Sequence, residues 1–195
     1  DSLVYLPIDP KKTEEQIRLH ARHQFEDGTV LHWWHPISET GLPTKMTDDL
    51  LWLPFILMHY IEETGDLKIL SVKEPYYDNK NKKDTLFDHS VAAIEKVLTR
   101  MSKRGLTLIG AGDWNDGLSA VGLDMKGESI WLTEFFYMVL QKFSELCKET
   151  GKDRHHKKYS RKASDLKKSF DKTAWDGEWY WRATKDDGKK IGSKT

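Results

Sequence analysis

Two aspartates, an asparagine and a tryptophan lie within one glycine-rich segment, residues 110–117. Asp113 and Asp116 are three positions apart, and Trp114 and Asn115 stand between them. A carboxylic acid next to an indole can have its pKa raised by desolvation, which suits a proton donor that works near neutral pH. Short strings of Asp, Asn and Gly are also ordinary turn formers. From these residues alone, a proton donor and an Asx turn are equally open.

A second pair of carboxylates, Asp48 and Asp49, follows Thr47. Threonine followed by aspartate is what the N-terminus of a helix prefers, so one of the two aspartates is explained by helix capping. The other is surplus to that role and could accept hydrogen bonds from sugar hydroxyls.

The number and placement of the tryptophans are the informative features of the composition. Five of the eight tryptophans lie in or beside Gly/Asp-rich loops: Trp33, Trp34, Trp114, Trp179 and Trp181. Indoles often pack in cores, which would explain any one of them. Several indoles beside several carboxylates also suit a sugar site, because sugars need an apolar platform for their C–H faces and ionic acceptors for their hydroxyls.

Other kinds of chemistry are not indicated. His32 and His35 flank two tryptophans, but the further ligands that a metal needs cannot be identified, so we expect no metal. Cys147 is the single cysteine, which excludes an intrachain disulfide. The number of lysines and arginines equals that of aspartates and glutamates, 31 against 31. The net charge therefore does not indicate binding to nucleic acid or to an anionic membrane. No basic region followed by an apolar stretch opens the sequence, and we expect a cytoplasmic protein.

The elements that position these residues are predicted to be mostly α-helical. Helices are expected over 13–25, 48–64, 86–104, 128–150 and 159–173, and the best strand candidates are 106–109 and 179–183. Thr13 and Gln16 are spaced as a capping box. Pro54 is expected inside the second helix and would kink it. The expected fold class is all-α.

The predicted helices are of two kinds, and the kinds alternate along the chain. Residues 50–61 and 130–147 are apolar nearly all round and must be covered on most sides, whereas the other helices are amphipathic or polar. This order is expected of a two-layer toroid, although a bundle or solenoid would give the same pattern. In a toroid, the outer-to-inner connections 32–49 and 110–117 would open on the same end and face one another.

Four strings resemble the motifs of glycoside hydrolase family 94, in the family's order. They are His-Trp-Trp-His-Pro at 32–36, Asp-Asp-Leu-Leu-Trp-Leu-Pro at 48–54, Gly-Asp-Trp-Asn-Asp-Gly at 112–117 and Trp-Asp-Gly-Glu-Trp-Tyr at 175–180. This family holds the cellobiose, cellodextrin, laminaribiose and chitobiose phosphorylases and the phosphorylase-like domain of cyclic β-1,2-glucan synthases. The resemblance covers about residues 15–193. It implies part of an (α/α)6 barrel, with alternating inner and outer helices and residues 1–195 as one partial catalytic domain.

The resemblance also implies a reaction, the inverting phosphorolysis of a β-linked oligosaccharide. Asp116 matches the family's general acid, and Asp49 and Trp114 match positions that bind the sugar. Inorganic phosphate is the co-substrate, no other cofactor is expected, and a homodimer of the full-length protein is allowed. The residues expected to bind substrate are Asp49, Trp114, Asn115, Asp113, Lys45 and Trp34.

One departure from the family concerns sugar recognition. Many members carry a string like Gly-Val-Arg-Thr-Arg before the aspartate pair, whereas residues 41–45 read Gly-Leu-Pro-Thr-Lys. Pro43 therefore stands where a sugar-binding arginine is expected, and Lys45 lacks the planar fork of donors that arginine has. This suggests a branch away from the cellobiose and chitobiose enzymes, acting for example on β-1,2-linked glucans.

The second departure is length, because the resemblance stops roughly halfway through the barrel and the family's phosphate-binding residues lie beyond it. We expect a segment of a longer protein, inactive by itself. An inverting hydrolase on the same barrel and a non-catalytic carbohydrate-binding domain of a glucan synthase stay open as alternatives. The intact string at 112–117 argues against the binding domain, and Pro43 argues mildly for it.

Overall fold

The computed structural model describes residues 2–194, which form five α-helices and three small antiparallel sheets. The helices are α1 (Pro10–Arg22), α2 (Trp52–Thr64), α3 (Leu86–Leu98), α4 (Ile130–Glu149) and α5 (Asp153–Thr173). The sheets pair β1 (Leu31–Trp34) with β2 (Gly41–Pro43), β3 (Lys73–Pro75) with β4 (Lys83–Thr85), and β5 (Ala183–Thr184) with β6 (Lys190–Ile191). About half of the chain is helical, so the expectation of an all-α fold holds only for the main elements; the predicted loops contain three hairpins.

The starts of the helices differ from the sequence prediction for local reasons. Helix α1 begins at Pro10, where a proline is tolerated because the first helical N–H groups have no intrahelical partner. The predicted capping box is wrong, because the Thr13 hydroxyl donates to the Ser2 carbonyl at 2.9 Å from within the helix. Helix α2 begins at Trp52, so Pro54 lies in its first turn, where a missing N–H breaks no helical hydrogen bond.

The third helix ends early, at Leu98, because the chain folds back on itself after it. The Arg100 carbonyl accepts from the Leu108 N–H at 2.9 Å. Met101 pairs with Thr107 as an isolated bridge. The predicted strand 106–109 is therefore only a pair of isolated bridges, and of 179–183 only Ala183 belongs to a strand. These backbone pairings form between distant residues, and helical periodicity does not report them.

The chain forms two compact units, each with its own packing. The first contains the described residues up to Thr44 together with Leu50–Lys96, and the second contains Lys45–Asp49 together with the described residues from Val97 onward. In the first unit α1 packs against α2. Most of the apolar residues of α2 are buried, as its sequence predicted: Leu53, Leu57, Met58, Tyr60 and Ile61.

In the second unit, α4 packs along α5, and the two helices differ as predicted. Helix α4 is buried on most sides, whereas α5 buries only Tyr159, Ala163 and Leu166, one stripe of an otherwise charged helix. A separate small core joins Leu106, Ile130, Ala174 and Trp181. Within the described residues, no helix has both the length and the apolar character needed to cross a bilayer.

The first unit also contains an aromatic cluster around Trp34. The indole of Trp34 stacks on the His23 ring, with 4.0 Å between the ring centroids, and His20 meets its edge. His23 is 1% exposed, and its Nδ1 donates to the Leu19 carbonyl at 2.8 Å. Within the described residues, the buried Nε2 has no hydrogen-bond partner. Burial therefore lowers the pKa of His23, because a proton on Nε2 would have no acceptor.

This burial predicts an acid-sensitive first unit. The pKa of His23 is lower in the folded chain than in the unfolded one, where it is about 6.5. The unfolded chain therefore takes up the proton first. The stabilisation is complete above about pH 6.5 and is lost as the pH falls toward the folded pKa. We expect His23→Phe, which keeps a stacking ring but cannot titrate, to flatten the fall in unfolding temperature between about pH 7.5 and 5.5.

The measurement is scanning calorimetry of the full-length protein. His35→Phe is the matched control, because His35 is exposed. His89 is buried and its pKa is also lowered, first by desolvation, so part of the slope should remain in His23→Phe. Equal slopes for the wild type and His23→Phe would contradict the assignment.

Candidate active site

Backbone pairing joins the aspartate-pair segment to the glycine-rich loop within the second unit. Met46 and Gly110 form an isolated antiparallel bridge. The Ala111 N–H donates to the Lys45 carbonyl at 3.1 Å. The segment Lys45–Asp49 therefore lies beside the start of the loop. The sequence predicted that these two connections would meet, and the structure brings together these parts of them.

Arg100 holds the same segment through its guanidinium group. Its Nη1 donates to the Met46 carbonyl at 3.2 Å and to the Thr47 hydroxyl at 3.3 Å. Asp48 is buried and Asp49 is half-buried at the start of the short 3-10 helix Asp48–Leu51. Asp49 is thus the member of the pair that keeps surface for a ligand.

The loop at 110–117 is built from two successive Asx turns. The Asp113 Oδ1 accepts from the Asn115 N–H, and the Asn115 Oδ1 accepts from the Gly117 N–H, both at 3.1 Å. The turn interpretation is therefore right for Asp113 and Asn115, and it leaves Asp116 unused. Asp116 is exposed at the start of the 3-10 helix Asp116–Leu118, and within the described residues its carboxylate has no hydrogen bond or ion pair.

Asp113 lies beneath this loop rather than at its surface. It is 1% exposed, its Oδ1 accepts from Arg182 Nη2 at 2.5 Å, and its Oδ2 accepts from the Ser129 hydroxyl at 2.7 Å. The sequence placed Asp113 among the sugar-binding residues, whereas these contacts occupy both of its oxygens from inside the protein. Sequence reasoning missed this burial because Asp113 forms an ion pair with Arg182, which is distant in the chain.

An aromatic surface borders the loop. Trp114 is 70% exposed, and its ring centroid lies 6.3 Å from that of Trp131. Trp131 stacks in turn on Phe135 at 5.5 Å. The exposed indole stands two residues before Asp116, and its face is available as a platform for an apolar ligand surface. Trp131 escaped sequence reasoning because it stands in the first turn of a helix that reads as core.

The remaining predicted residues differ in their setting. Lys45 is exposed and has no ion pair among the residues the structure covers. Trp34 belongs to the first unit and stacks there on His23. The sequence predicted that the neighbouring indole would bury the Asp116 carboxylate. Asp116 is exposed, so no residue among 2–194 removes this carboxylate from water.

The fourth motif forms a tight turn around Asp176. Its carboxylate accepts backbone N–H groups from Lys194, Trp179 and Glu178 and the Ser193 hydroxyl. These hydrogen bonds, with that from Lys194 the strongest, lower the pKa of Asp176 to about 2. Asp176 is therefore a charged turn residue, and the turn leaves Trp175 and Trp179 about half exposed.

An exposed indole, a carboxylate without a partner among residues 2–194 and a second accessible aspartate in one unit are features of a carbohydrate-active site. The whole chain, residues 1–195, matches the profile of the glycosyl hydrolase 94 superfamily, catalytic domain. The chain belongs to this family, which confirms the resemblance seen in its four motifs.

Curated relatives agree with the family match. Cyclic beta-(1,2)-glucan synthase NdvB of Rhizobium meliloti (strain 1021) is 32% identical over 209 residues, covering 99% of this chain and 7% of that protein. Solabiose phosphorylase of Paenibacillus borealis is 31% identical, covering 95% of this chain and 24% of that enzyme. N,N'-diacetylchitobiose phosphorylase of Vibrio proteolyticus is 27% identical, with coverage of 99% and 27%. The chain thus spans about a quarter or less of the relatives it matches.

The close approach of Gly110 to the Lys45 carbonyl predicts that two glycines differ in their tolerance of alanine. Gly110 and Gly151 have nearly equal φ values, +71° and +70°. A Cβ on Gly110 would lie 2.0 Å from the Lys45 carbonyl oxygen, whereas one on Gly151 would meet nothing within 4 Å. Gly151→Ala should cost only the left-handed strain, about 1–2 kcal/mol. Gly110→Ala should cost clearly more, because it also forces two backbones apart.

The test compares the unfolding temperatures of both variants in the full-length protein. Hydrogen exchange at Ala111 should rise in Gly110→Ala and stay unchanged in Gly151→Ala. If the two variants lose equal stability, the close approach at Gly110 does not exist in solution.

Proposed function

We propose that this chain is the acid-bearing part of an inverting phosphorylase that cleaves β-linked gluco-oligosaccharides or disaccharides. The observation that carries the proposal is that Asp116 is exposed and takes no part in the turns of its loop. The neighbouring Asp113 and Asn115 are engaged in turns, whereas Asp116 is exposed and has no partner within the described residues. A carboxyl group that is not held in a turn can approach a glycosidic oxygen, and the exposed indole beside it can bind the sugar ring. Membership of the family supports the same assignment.

In the proposed reaction, Asp116 gives its proton to the glycosidic oxygen as the bond to the anomeric carbon breaks. Inorganic phosphate attacks that carbon from the opposite face, so its configuration inverts. The products are an α-sugar 1-phosphate and a shortened sugar. An inverting hydrolase needs a second carboxylate to activate water. Phosphate is already an anionic nucleophile, so this reaction requires no such base and, in the proposal, no metal or cofactor.

Sugar binding is assigned by chemistry to residues around the acid. The exposed face of Trp114 would stack on the C–H face of a sugar ring. Asp49 would accept hydrogen bonds from hydroxyls, and Lys45 and Asn115 would donate them. Trp34 stays a predicted sugar-binding residue of the first unit.

The rest of the proposal concerns the protein of which this chain is a part. We infer that residues 1–195 form one partial (α/α)6 catalytic barrel, because the buried α4 and the charged α5 have the character of inner and outer helices. Phosphate-binding residues would come from outside this chain. A cytoplasmic location, with no nucleic-acid or membrane partner, and a homodimer of the full-length protein complete the proposal. Pro43 and the similarity to a cyclic β-(1,2)-glucan synthase favour β-1,2-linked glucans as substrates.

Replacement of Asp116 tests the assignment of the acid. In the full-length protein, Asp116→Asn should lower kcat for phosphorolysis roughly 10²–10⁴-fold, because the amide cannot protonate the leaving oxygen. The loss should be much smaller with a dinitrophenyl β-glucoside, whose leaving group needs no proton. The measurement is phosphate-dependent release of α-glucose 1-phosphate from β-1,2, β-1,3 and β-1,4 gluco-oligosaccharides.

Asp124→Asn is the matched control, because the Asp124 side chain is 71% exposed and lies 4.0 Å from Lys126. It should behave as the wild type. Turnover that persists in Asp116→Asn with natural sugars would remove this residue from the mechanism. Free glucose released equally with and without phosphate would instead identify a hydrolase, and sugar binding without any product would identify a binding domain.

Lys45 provides a separate test of sugar recognition. A hydrogen bond from a charged group contributes about 1.5–3 kcal/mol, so Lys45→Ala should lower kcat/KM by roughly tenfold or more. The loss should appear mainly in KM, because the contact is made in the ground state as well. Lys126→Ala is the control, since Lys126 is also an exposed lysine of the second unit. An unchanged KM for every active linkage in Lys45→Ala would exclude a sugar contact.

A further inference from the structure

The buried ion pair between Asp113 and Arg182 lies under the loop that carries Asp116. We propose that Arg182 and Asp113 are positioning residues: together they fix this loop, and Asp113 acts through the geometry of the loop and not by touching sugar. The activity part of this inference rests on the proposed function.

Three side chains close a ring beneath the loop. Arg182 Nη2 donates to Asp113 Oδ1 at 2.5 Å, Arg182 Nη1 donates to the Ser129 hydroxyl at 3.0 Å, and that hydroxyl donates to Asp113 Oδ2 at 2.7 Å. The Ser129 hydroxyl also accepts from the Leu132 N–H at 3.0 Å. A serine hydroxyl has one proton and two lone pairs, so every hydrogen-bonding position of Ser129 is used. A ring that is satisfied in this way has one preferred arrangement.

The ring is anchored on rigid structure. Ser129 is the N-cap of α4, most of which is buried. The Ile130 N–H donates to the Arg182 carbonyl at 3.1 Å, and Ser129 pairs with Ala183 as an isolated bridge. Both the cation and the hydroxyl that hold Asp113 are therefore fixed by their own backbones, and the aspartate is the member that belongs to the loop.

Asp113 transmits this anchoring to the acid. The oxygen that accepts from Arg182 also accepts the Asn115 N–H, which forms the first of the two turns that present Asp116. The Arg182 guanidinium carbon also lies 6.0 Å from the ring centroid of Trp131. Since Trp131 contacts Trp114, one cation borders both the turn and the aromatic surface.

Removing Arg182 would leave the Asp113 carboxylate buried without its counter-charge. The Asp113 side chain is fully buried, whereas that of Arg182 is 29% exposed. A buried charge without its partner is strongly unfavourable. The Asp113 carboxylate would regain hydration most easily by rotating toward water. This rotation would break the Asx turn that presents Asp116.

The second unit contains a matched control for this ion pair. Arg104 Nε donates to Glu128 Oε1 at 3.1 Å, and the Glu128 side chain is 4% exposed. This pair is of the same kind, in the same unit, and one residue from Ser129. It has no contact with Asp113 or with residues 110–117 among those the structure describes. Arg104→Gln therefore removes a guanidinium from a buried carboxylate without touching the loop.

The first arm of the test does not depend on activity. Hydrogen–deuterium exchange is measured in the full-length protein for the peptide covering residues 110–118. Arg182→Gln should speed exchange there by roughly tenfold or more, whereas Arg104→Gln should leave it unchanged. Equal exchange of this peptide in the two variants overturns the inference. If Arg182→Gln does not fold, Arg182→Lys serves in its place, because it keeps the charge but loses the fork of donors.

The second arm separates positioning from sugar binding by steady-state kinetics. Displacement of a positioned catalytic group lowers kcat by roughly 10²-fold, so Asp113→Asn and Arg182→Gln should both lower kcat with little change in KM. Arg104→Gln should keep its kcat, and Arg182→Lys should recover part of the loss. The double variant Asp113→Asn/Arg182→Gln should be no worse than the poorer single variant, because both changes break the same ring.

A rise in KM confined to Asp113→Asn, or additive losses in the double variant, would overturn the positioning role in favour of direct sugar contact. A wild-type protein without phosphate-dependent turnover would refute the proposed function alone. In that event the exchange measurement still decides whether Arg182 and Asp113 hold the loop.

Discussion

The candidate site depends on one close approach between two backbones. Gly110 adopts a left-handed conformation against the Lys45 carbonyl, at a distance that a Cβ would not allow. Lys45 and Gly110 are far apart in sequence, and the bridge of Met46 to Gly110 places the segment of the aspartate pair beside the loop that carries Asp116. A side chain at position 110 would push against the Lys45 carbonyl and disturb the bridge that holds these two segments together. The glycine is therefore a condition for the site as a whole, although it takes no part in the chemistry.

The turns of the loop determine which of its carboxylates is exposed. Asp113 and Asn115 direct their side-chain oxygens to backbone N–H groups two residues ahead. Because these two residues satisfy the turn, Asp116 is left to face the solvent. A string of Asp, Asn and Gly that looks like an ordinary turn can thus present a carboxylate in a defined direction. Of the two interpretations that the sequence left open, the turn applies to Asp113 and Asn115, and the proton donor stays a proposal for Asp116.

The sequence predicted the helices with strong apolar patterns and missed what depends on distant partners. The burial of α2 and the single buried stripe of α5 follow from local periodicity. The early end of α3 does not, because the Arg100 carbonyl pairs with Leu108 after the chain turns back. Arg182 was missed for the same reason, since its partner Asp113 is 69 residues away. The residues next to this arginine, Trp179, Tyr180 and Trp181, form no local pattern that would indicate a buried ion pair.

The exposure of Asp116 bears on how the proposed acid would work. A proton donor to a glycosidic oxygen needs water to be excluded, and the described residues leave this carboxylate in water. On the proposed mechanism, a sugar stacked on Trp114 would itself cover Asp116, because the two residues flank Asn115 on a loop held from below. Water exclusion would then accompany substrate binding. On this mechanism the anchoring of the loop would matter, because an acid that is covered by its own substrate has to stand in one place when the substrate binds.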